Sequence, residues 1–287
     1  MTIDVLALAN KAAETEDQSK ETAGFEKKMP VPGLRGCRFV EYVELGIHAN
    51  KSTKFGAKPP VDKVRLTFEL LGKNDMEQMT VGQETKTIGK RMSITVNKTL
   101  SAKGDFKKIM NLLDRGRGKQ HMAQMLGEAF KVRVTVTAED GSLCTAENKK
   151  EPKWANLYTG TVDAKNWSFE APTHEDPETG EVKQLRVLSP TSELKIFLWD
   201  NPTLATWESL YIDGTREVKQ ADGSVQTESK NFIQEMCMSA ANYEGSALQA
   251  MLLQLETESK EFAKSAESLV GSDDPLADMP DMDEAPF

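Results

Sequence analysis

The stretch GCRFVEYVELGIHA (36–49) decides the fold class, because its side chains alternate with a period of two over its whole length. One face of the extended chain carries Phe39, Glu41, Val43 and Leu45, and the other carries Val40, Tyr42 and Glu44. Alternation over this length predicts a bent, strongly twisted β-strand. Residues 50–60 follow as a polar loop that contains two prolines at its end.

Two further strands are predicted downstream, at KVRLTFELLG (63–72) and KRMSITVNKTL (90–100), with a polar, turn-rich segment at 76–88 between them. The period then changes to that of a helix in AKGDFKKIMNLLDRG (102–116), for which Ser101 is the expected N-cap. HMAQMLGEAF (121–130) predicts a second short helix. KVRVTVTAED (131–140) and WANLYTGTV (154–162) predict two more strands.

The resulting order is strand, strand, strand, helix, strand, strand, which is that of the OB-fold, although other small α+β domains share it. We therefore predict a mainly β protein with α additions (α+β). Its centre is an OB-fold-like five-stranded Greek-key barrel, elaborated by a C-terminal insertion and helix. The insertion, residues 164–230, begins with a polar stretch at 164–191 and includes an apolar strand at ELKIFLWDNP (193–202). NFIQEMCMSA (231–240) predicts a helix, with a strand as the alternative.

Four segments are predicted along the chain. Residues 1–28 form a flexible or helical N-terminal arm, and residues 29–245 form the nucleic-acid-binding domain. Residues 246–270 form an amphipathic helix whose apolar face can dock on the body or on another copy. Residues 271–287 form a disordered acidic tail, because clustered carboxylates repel one another and cannot build a core.

Charge distribution points to a polyanionic partner for the central segment. The net charge is −9, yet residues 29–133 carry 20 basic and 10 acidic residues, a net charge of +10. Affinity for nucleic acid follows local neutralisation of phosphates, so an acidic protein with a concentrated basic block remains a candidate binder. Basic and aromatic residues also alternate in this block, the mixture that single-strand binding uses.

The candidate nucleic-acid-binding residues lie on the first strands and on loops 49–60 and 139–153. Phe39 and Phe68 are expected in the core, Tyr42 in the core or the interface, and Phe55 in a stacking role. The full set is Arg35, Arg38, Tyr42, Lys51, Lys54, Phe55, Lys58, Arg65, Lys90, Arg91, Lys149, Lys150 and Lys153.

Enzyme signatures are missing from the sequence. It has no GxxxxGKS/T, GxGxxG after a strand, GxSxG or HExxH motif. His48, His121 and His174 are far apart, so no metal and no cofactor are expected. Three isolated cysteines, no apolar run long enough to span a membrane and no secretory signal predict a cytoplasmic protein without a membrane partner.

The acidic tail ends in Ala285-Pro286-Phe287, which places one aromatic side chain beside the terminal carboxylate. An exposed ring on an acidic tether suits a basic pocket with an apolar floor. The predicted protein-interaction residues are Asp278, Asp281, Asp283, Glu284, Pro286 and Phe287.

With this tail and the basic block, the chain resembles bacteriophage single-stranded DNA-binding proteins, and the stretches 43–72 and 194–214 also look like proteins of phage replication modules. The resemblance implies an OB-fold that coats and protects single-stranded DNA in replication, recombination and repair. It also implies recruitment of replication or recombination proteins through the tail, in the host-cell cytoplasm. The tip departs from the bacterial pattern at Glu284 and Ala285.

Two alternatives stay open. The chain could be a phage recombination protein that anneals complementary strands as a homo-oligomer, with helix 247–269 supporting assembly. It could instead be a structural or interaction protein that does not bind DNA and whose acidic tail mimics it.

Overall fold

A computed structural model describes residues 29–50, 56–72, 74–81, 84–161, 165–219 and 224–270. The chain divides into two units, Met1–Pro30 and Val31–Phe287, and the second contains all the elements below. It is mainly β, with a large antiparallel sheet and a few helices, as the sequence predicts at that level. The tail residues from Asp278 to Phe287 lie outside the described part of the chain.

Five long strands and several short ones make up the β structure. The long strands are β1 (Gly33–His48), β2 (Val61–Leu70), β3 (Met76–Val81), β4 (Glu84–Asn97) and β5 (Ala129–Thr137). Shorter strands are β6 (Trp154–Asn156), β7 (Tyr158–Thr159), β8 (Asn166–Trp167), β9 (Phe169–Glu170), β10 (Thr173–Glu175), β11 (Val182–Gln184), β12 (Lys195–Phe197), β13 (Thr215–Lys219) and β14 (Val225–Ser229).

The described helices are α1 (Asp105–Asp114), α2 (Leu204–Glu208), α3 (Phe232–Met238) and α4 (Ala247–Val270), with a 3₁₀ helix at Met122–Met125. The helices predicted in 102–116, 231–240 and 247–269 are thus confirmed. Gly104, and not Ser101, occupies the N-cap position of α1. The helix predicted at 121–130 is only the 3₁₀ turn, which His121 caps, because the chain already turns extended at Ala129 to enter β5.

Strand β1 organises the main sheet. It pairs antiparallel with β2 through Cys37–His48 and with β5 through Gly33–Arg38, and parallel with β12 through Glu41–Val43. Strand β4 pairs with β2 through Lys90–Asn97 and with β3 through Glu84–Gly89. The polar stretch 76–88, predicted to be turn-rich, is therefore largely a β-hairpin arm that continues the β2–β4 pairing.

The register of β1 with β2 shifts at two places, between Phe39 and Glu41 and between Glu44 and Gly46. Gly46 has a φ of 82°, and a Cβ atom there would lie 2.7 Å from Ala240 Cβ and from the Trp199 ring. Glycine tolerates both the positive φ and the close approach of these neighbours.

Replacing Gly46 with alanine is expected to lower the free energy of unfolding by about 2–3 kcal/mol, from backbone strain plus overpacking. Urea denaturation measures this. Gly180→Ala is the matched control, because Gly180 has a φ of 68° but no atom within 4 Å of the added Cβ. Equal losses in the two variants would show that packing around Gly46 does not contribute.

Strand β1 contributes to two hydrophobic cores. The first core is formed by β1, β2, β4, β5 and α1, and it includes the rings of Phe39, Phe68 and Phe169. The ring centroids of Phe39 and Phe68 are 5.1 Å apart, and those of Phe68 and Phe169 are 4.5 Å apart. The second core joins Val43 and Leu45 to Phe197, Trp199, Trp207 and the start of α4. The C-terminal insertion is therefore packed on the sheet and is not a separate domain.

Pairing leaves the main sheet open. Its order is β3-β4-β2-β1-β5-β6, and among the described strands none bridges β4 to β6 or β7. A closed five-stranded barrel is not seen, so the OB-fold prediction is not confirmed. The strand predicted at 154–162 is split in two: β6 pairs with β5, while β7 pairs with β8.

In the part of the chain that the structure describes, no helix has both the length and the apolar character needed to cross a membrane.

Candidate nucleic-acid interface

Arg65 and Arg91, two of the predicted phosphate-binding residues, form ion pairs with the same buried carboxylate. Arg65 Nε lies 3.2 Å from Glu41 Oε1, and Arg91 Nη2 lies 2.6 Å from Glu41 Oε2. Arg65 also donates to Ser93 Oγ and lies over the Phe232 ring. These contacts link β1, β2 and β4 to one another, so both guanidinium groups stabilise the sheet.

Arg35, Arg38 and Lys90 are also engaged within the protein. Arg35 pairs with buried Asp75 at 3.1 Å, and Lys90 pairs with Glu77 at 2.6 Å. Arg38 donates to three carbonyl oxygens, those of Gly127, Val187 and Leu188. Arg38 thereby fastens the segment before β12 to β1.

Tyr42 belongs to the core and not to a stacking surface, which resolves the alternative that the sequence left open. It is fully buried, and its hydroxyl donates to Glu44 Oε1. Burial first, and then the neighbouring Glu44 carboxylate, raises the pKa of the tyrosine hydroxyl. The ring contacts His121 edge to face.

Loop 139–153, predicted to be basic, carries three lysines and four acidic residues, a net charge of −1. Lys150 pairs with Asp140 at 2.5 Å, and Lys153 pairs with Glu139 and lies over the Trp154 ring. Lys149 and Lys58 are exposed. Lys51, Lys54 and Phe55 lie outside the described residues, so their predicted roles stay predictions.

The buried carboxylate of Glu69 accepts from neutral donors. Burial alone would raise the pKa of Glu69, but the Thr191 hydroxyl and the backbone N–H groups of Thr191 and Ser192 donate to it and lower the pKa below its ordinary value. A carboxylate with a depressed folded-state pKa stabilises the fold above its ordinary pKa, and this contribution disappears as the pH falls through the folded value.

We therefore expect the Glu69→Gln variant to be less stable at pH 7 and to show a weaker loss of stability than the wild type between about pH 5 and pH 3. Urea unfolding at a series of pH values measures both effects. Parallel curves for the two proteins would contradict the assigned role of Glu69.

A different surface combines aromatic and basic side chains, at the open edge of β4. We call it the aromatic cleft: one wall is β4 at 94–97 with Lys63 and Asn50, the floor is the start of α1 at Gly104 and Asp105, and the other wall is Tyr158, Lys165 and Trp167. Its volume is about 590 Å³.

The aromatic wall is built by the β7–β8 hairpin, in which Tyr158 and Trp167 are directly paired residues. Their ring centroids are 5.5 Å apart and the rings are nearly perpendicular, at 81°. The Lys165 ammonium lies 5.8 Å from the Tyr158 centroid and 5.7 Å from the Trp167 centroid. It also pairs with Asp105 at 3.3 Å.

The cleft continues onto a second, shallower pocket of about 320 Å³ along α1. Lys165 and Trp167 line both pockets, and the second one adds Lys108, Asn111 and Asn166. Trp167 therefore borders both pockets, and Lys63, Lys165 and Lys108 lie along them.

The chemistry available here is binding. Planar rings can stack on nucleobases, ammonium groups can neutralise phosphates, and the amides of Asn50, Asn97 and Asn111 can hydrogen-bond to polar edges. Within the described ranges, no three His, Cys, Asp or Glu residues lie close enough to hold a metal ion.

Sequence reasoning did not single out Tyr158, Lys165 or Trp167. Tyr158 falls in a segment predicted to be a regular strand, and Trp167 falls in the polar stretch 164–191 of the predicted insertion. A signal was available in the sequence: Gly160 lies between Tyr158 and Trp167, and Lys165 comes two positions before Trp167. This pattern fits a short hairpin with both rings on one face.

In comparisons with known proteins, no family model, curated protein or solved structure matches this chain.

Proposed function

We propose that this protein is a non-catalytic single-stranded DNA-binding protein that coats and protects single strands. The observation that carries the proposal is the aromatic cleft, where two rings and several lysines line an elongated surface at the open edge of the main sheet. Stacking on rings and neutralisation of phosphates together give binding without sequence preference.

The proposed architecture is a modified OB-fold. In its support, β1 pairs with both β2 and β5, and α1 lies between β4 and β5 in sequence and packs on the first core. In a closed OB barrel the strand after β5 would return to the edge of β4. In the proposed fold, the aromatic cleft occupies the place where this strand would pair with β4. The cleft has β4 on one side and the β7–β8 hairpin on the other.

Each side chain has a role in the proposal. Trp167 stacks on bases, and Lys63, Lys108 and Lys165 contact the phosphate backbone. Tyr158 is only 8% exposed, so its role is to pack against the Trp167 ring and hold it in place. The arginines that pair with Glu41 keep the sheet intact and are not required to contact DNA. Phe55, Lys51 and Lys54 lie outside the described residues and keep the DNA-binding role that the sequence predicts for them.

The acidic tail supplies the second half of the proposal. We propose that Phe287, with the carboxylates of Asp278, Asp281, Asp283 and Glu284, binds replication or recombination proteins of a phage-infected cell. An aromatic ring on an acidic tether has the chemistry that a basic pocket with an apolar floor recognises.

Binding to a fluorescent oligo-dT and to a duplex of equal length, each measured by anisotropy over a series of salt concentrations, tests the proposal. We expect strong preference for the single strand, and an affinity that falls steeply with salt because each phosphate contact releases counterions. Equal affinity for the duplex, or no binding at low salt, would overturn it.

A further inference from the structure

We propose that Lys165 is a phosphate-binding residue that exchanges one anion for another: it pairs with Asp105 in the free protein and with a backbone phosphate in the complex. This inference rests on the proposed function and adds a mechanism that couples binding to the release of an internal ion pair.

The position of Lys165 makes the exchange necessary. Its ammonium lies within 6 Å of both ring centroids, 5.8 Å from Tyr158 and 5.7 Å from Trp167, so it occupies space next to the faces on which bases would stack. A base that stacks on the Trp167 ring therefore lies beside the lysine ammonium. The side chain is long and can move its ammonium outward while its stem stays on the rings.

The ion pair with Asp105 is weak enough to be exchanged. Its partners are 3.3 Å apart, and their side chains are 34% and 32% exposed, so water and salt screen the attraction. Exposed pairs of this kind contribute little to stability. A phosphate offers the same ammonium a second anion, and it gains affinity from the neighbouring Lys63 and Lys108, which line the same surface.

A second observation concerns the Trp167 ring while Lys165 pairs with Asp105. The indole Nε1 of Trp167 is buried, and it donates no hydrogen bond to any of the described residues. A buried N–H without a partner is unfavourable. Movement of the lysine side chain would open the ring environment to water or to a nucleotide oxygen.

The exchange predicts the opposite effects of two substitutions on oligo-dT binding. Asp105→Asn removes the competing anion and keeps the size of the side chain, so the affinity should rise about two- to fivefold. Lys165→Met should weaken binding and reduce the salt slope by about 0.7, the value for one phosphate contact on a single strand.

The decisive comparison is the double variant. Because Asp105 acts on DNA only through Lys165, Asp105→Asn should give no gain in the Lys165→Met background. Glu256→Gln is the matched control, since it also removes a carboxylate paired with a lysine, Lys260, at 2.7 Å, on α4. This control should leave the affinity unchanged. Thermal melting of each variant verifies that it is folded.

Each outcome has one meaning. If the wild type does not bind oligo-dT, the proposed function fails. If the wild type binds but Asp105→Asn has wild-type affinity, the exchange alone fails. The exchange is also overturned if Asp105→Asn gives the same gain with and without Lys165, because the effect would then be one of overall charge.

Discussion

Replacing Trp167 with alanine is expected to weaken oligo-dT binding about 5- to 150-fold, the largest effect on binding of any single substitution considered. Removal of one stacking ring costs about 1–3 kcal/mol per base, and each 1.4 kcal/mol corresponds to a factor of about ten. Trp167 lines both pockets of the aromatic cleft, so its loss removes the surface on which bases in both would stack. Fluorescence anisotropy with labelled oligo-dT measures the change.

Two further variants make this result specific. Trp167 also packs on the first core, so its loss could affect folding as well as stacking. Trp167→Phe keeps a ring and separates the two effects, and it should retain affinity for oligo-dT within about threefold. Trp154→Ala is the matched control: Trp154 is 47% exposed and has Lys153 over its ring, but it does not line the cleft. If Trp154→Ala weakened binding as much as Trp167→Ala, the cleft would lose its assigned role.

Replacing Glu41 with alanine is expected to lower the free energy of unfolding by about 3–5 kcal/mol, the largest effect on stability. Glu41 is 2% exposed and accepts from Arg65, Arg91 and the Thr67 hydroxyl. Removing one partner of a buried ion pair leaves the other charges uncompensated on β2 and β4. Urea or thermal denaturation measures the loss.

Glu139→Gln provides the comparison for this prediction. This substitution breaks the ion pair between Glu139 and Lys153, whose side chains are 79% and 47% exposed. It should lower the free energy of unfolding by no more than about 1 kcal/mol. A Glu41→Ala variant as stable as Glu139→Gln would contradict the structural role assigned to Arg65 and Arg91. Those arginines would then be free to serve as the phosphate contacts that the sequence predicted.

The strands and helices with strong periodicity could be predicted from the sequence. The period-two pattern of 36–49 and the helical spacing of Phe106, Ile109, Met110 and Leu113 indicated elements that the structure contains, with those four side chains buried. The hairpin at 76–88 was missed because its residues are polar, and a strand that extends beyond the core lacks the apolar alternation on which such predictions rely.

The candidate site was harder to predict, because charge in a sequence does not reveal its partner. The net charge of +10 over residues 29–133 suggested a DNA-binding face. Several of the predicted contacts instead pair with carboxylates of the same block, and partners such as Arg91 and Glu41 are 50 positions apart in the sequence. The aromatic cleft likewise joins β4 to residues beyond 150, and no local pattern encodes that proximity.

Photo-cross-linking of the full chain to an oligonucleotide that carries 5-bromodeoxyuridine, followed by mapping of the linked peptides by mass spectrometry, tests most directly whether single strands occupy the aromatic cleft. We expect covalent links at Trp167, and we expect excess unlabelled oligo-dT to suppress them. Links that form only at other residues, with none at Trp167, would contradict the account.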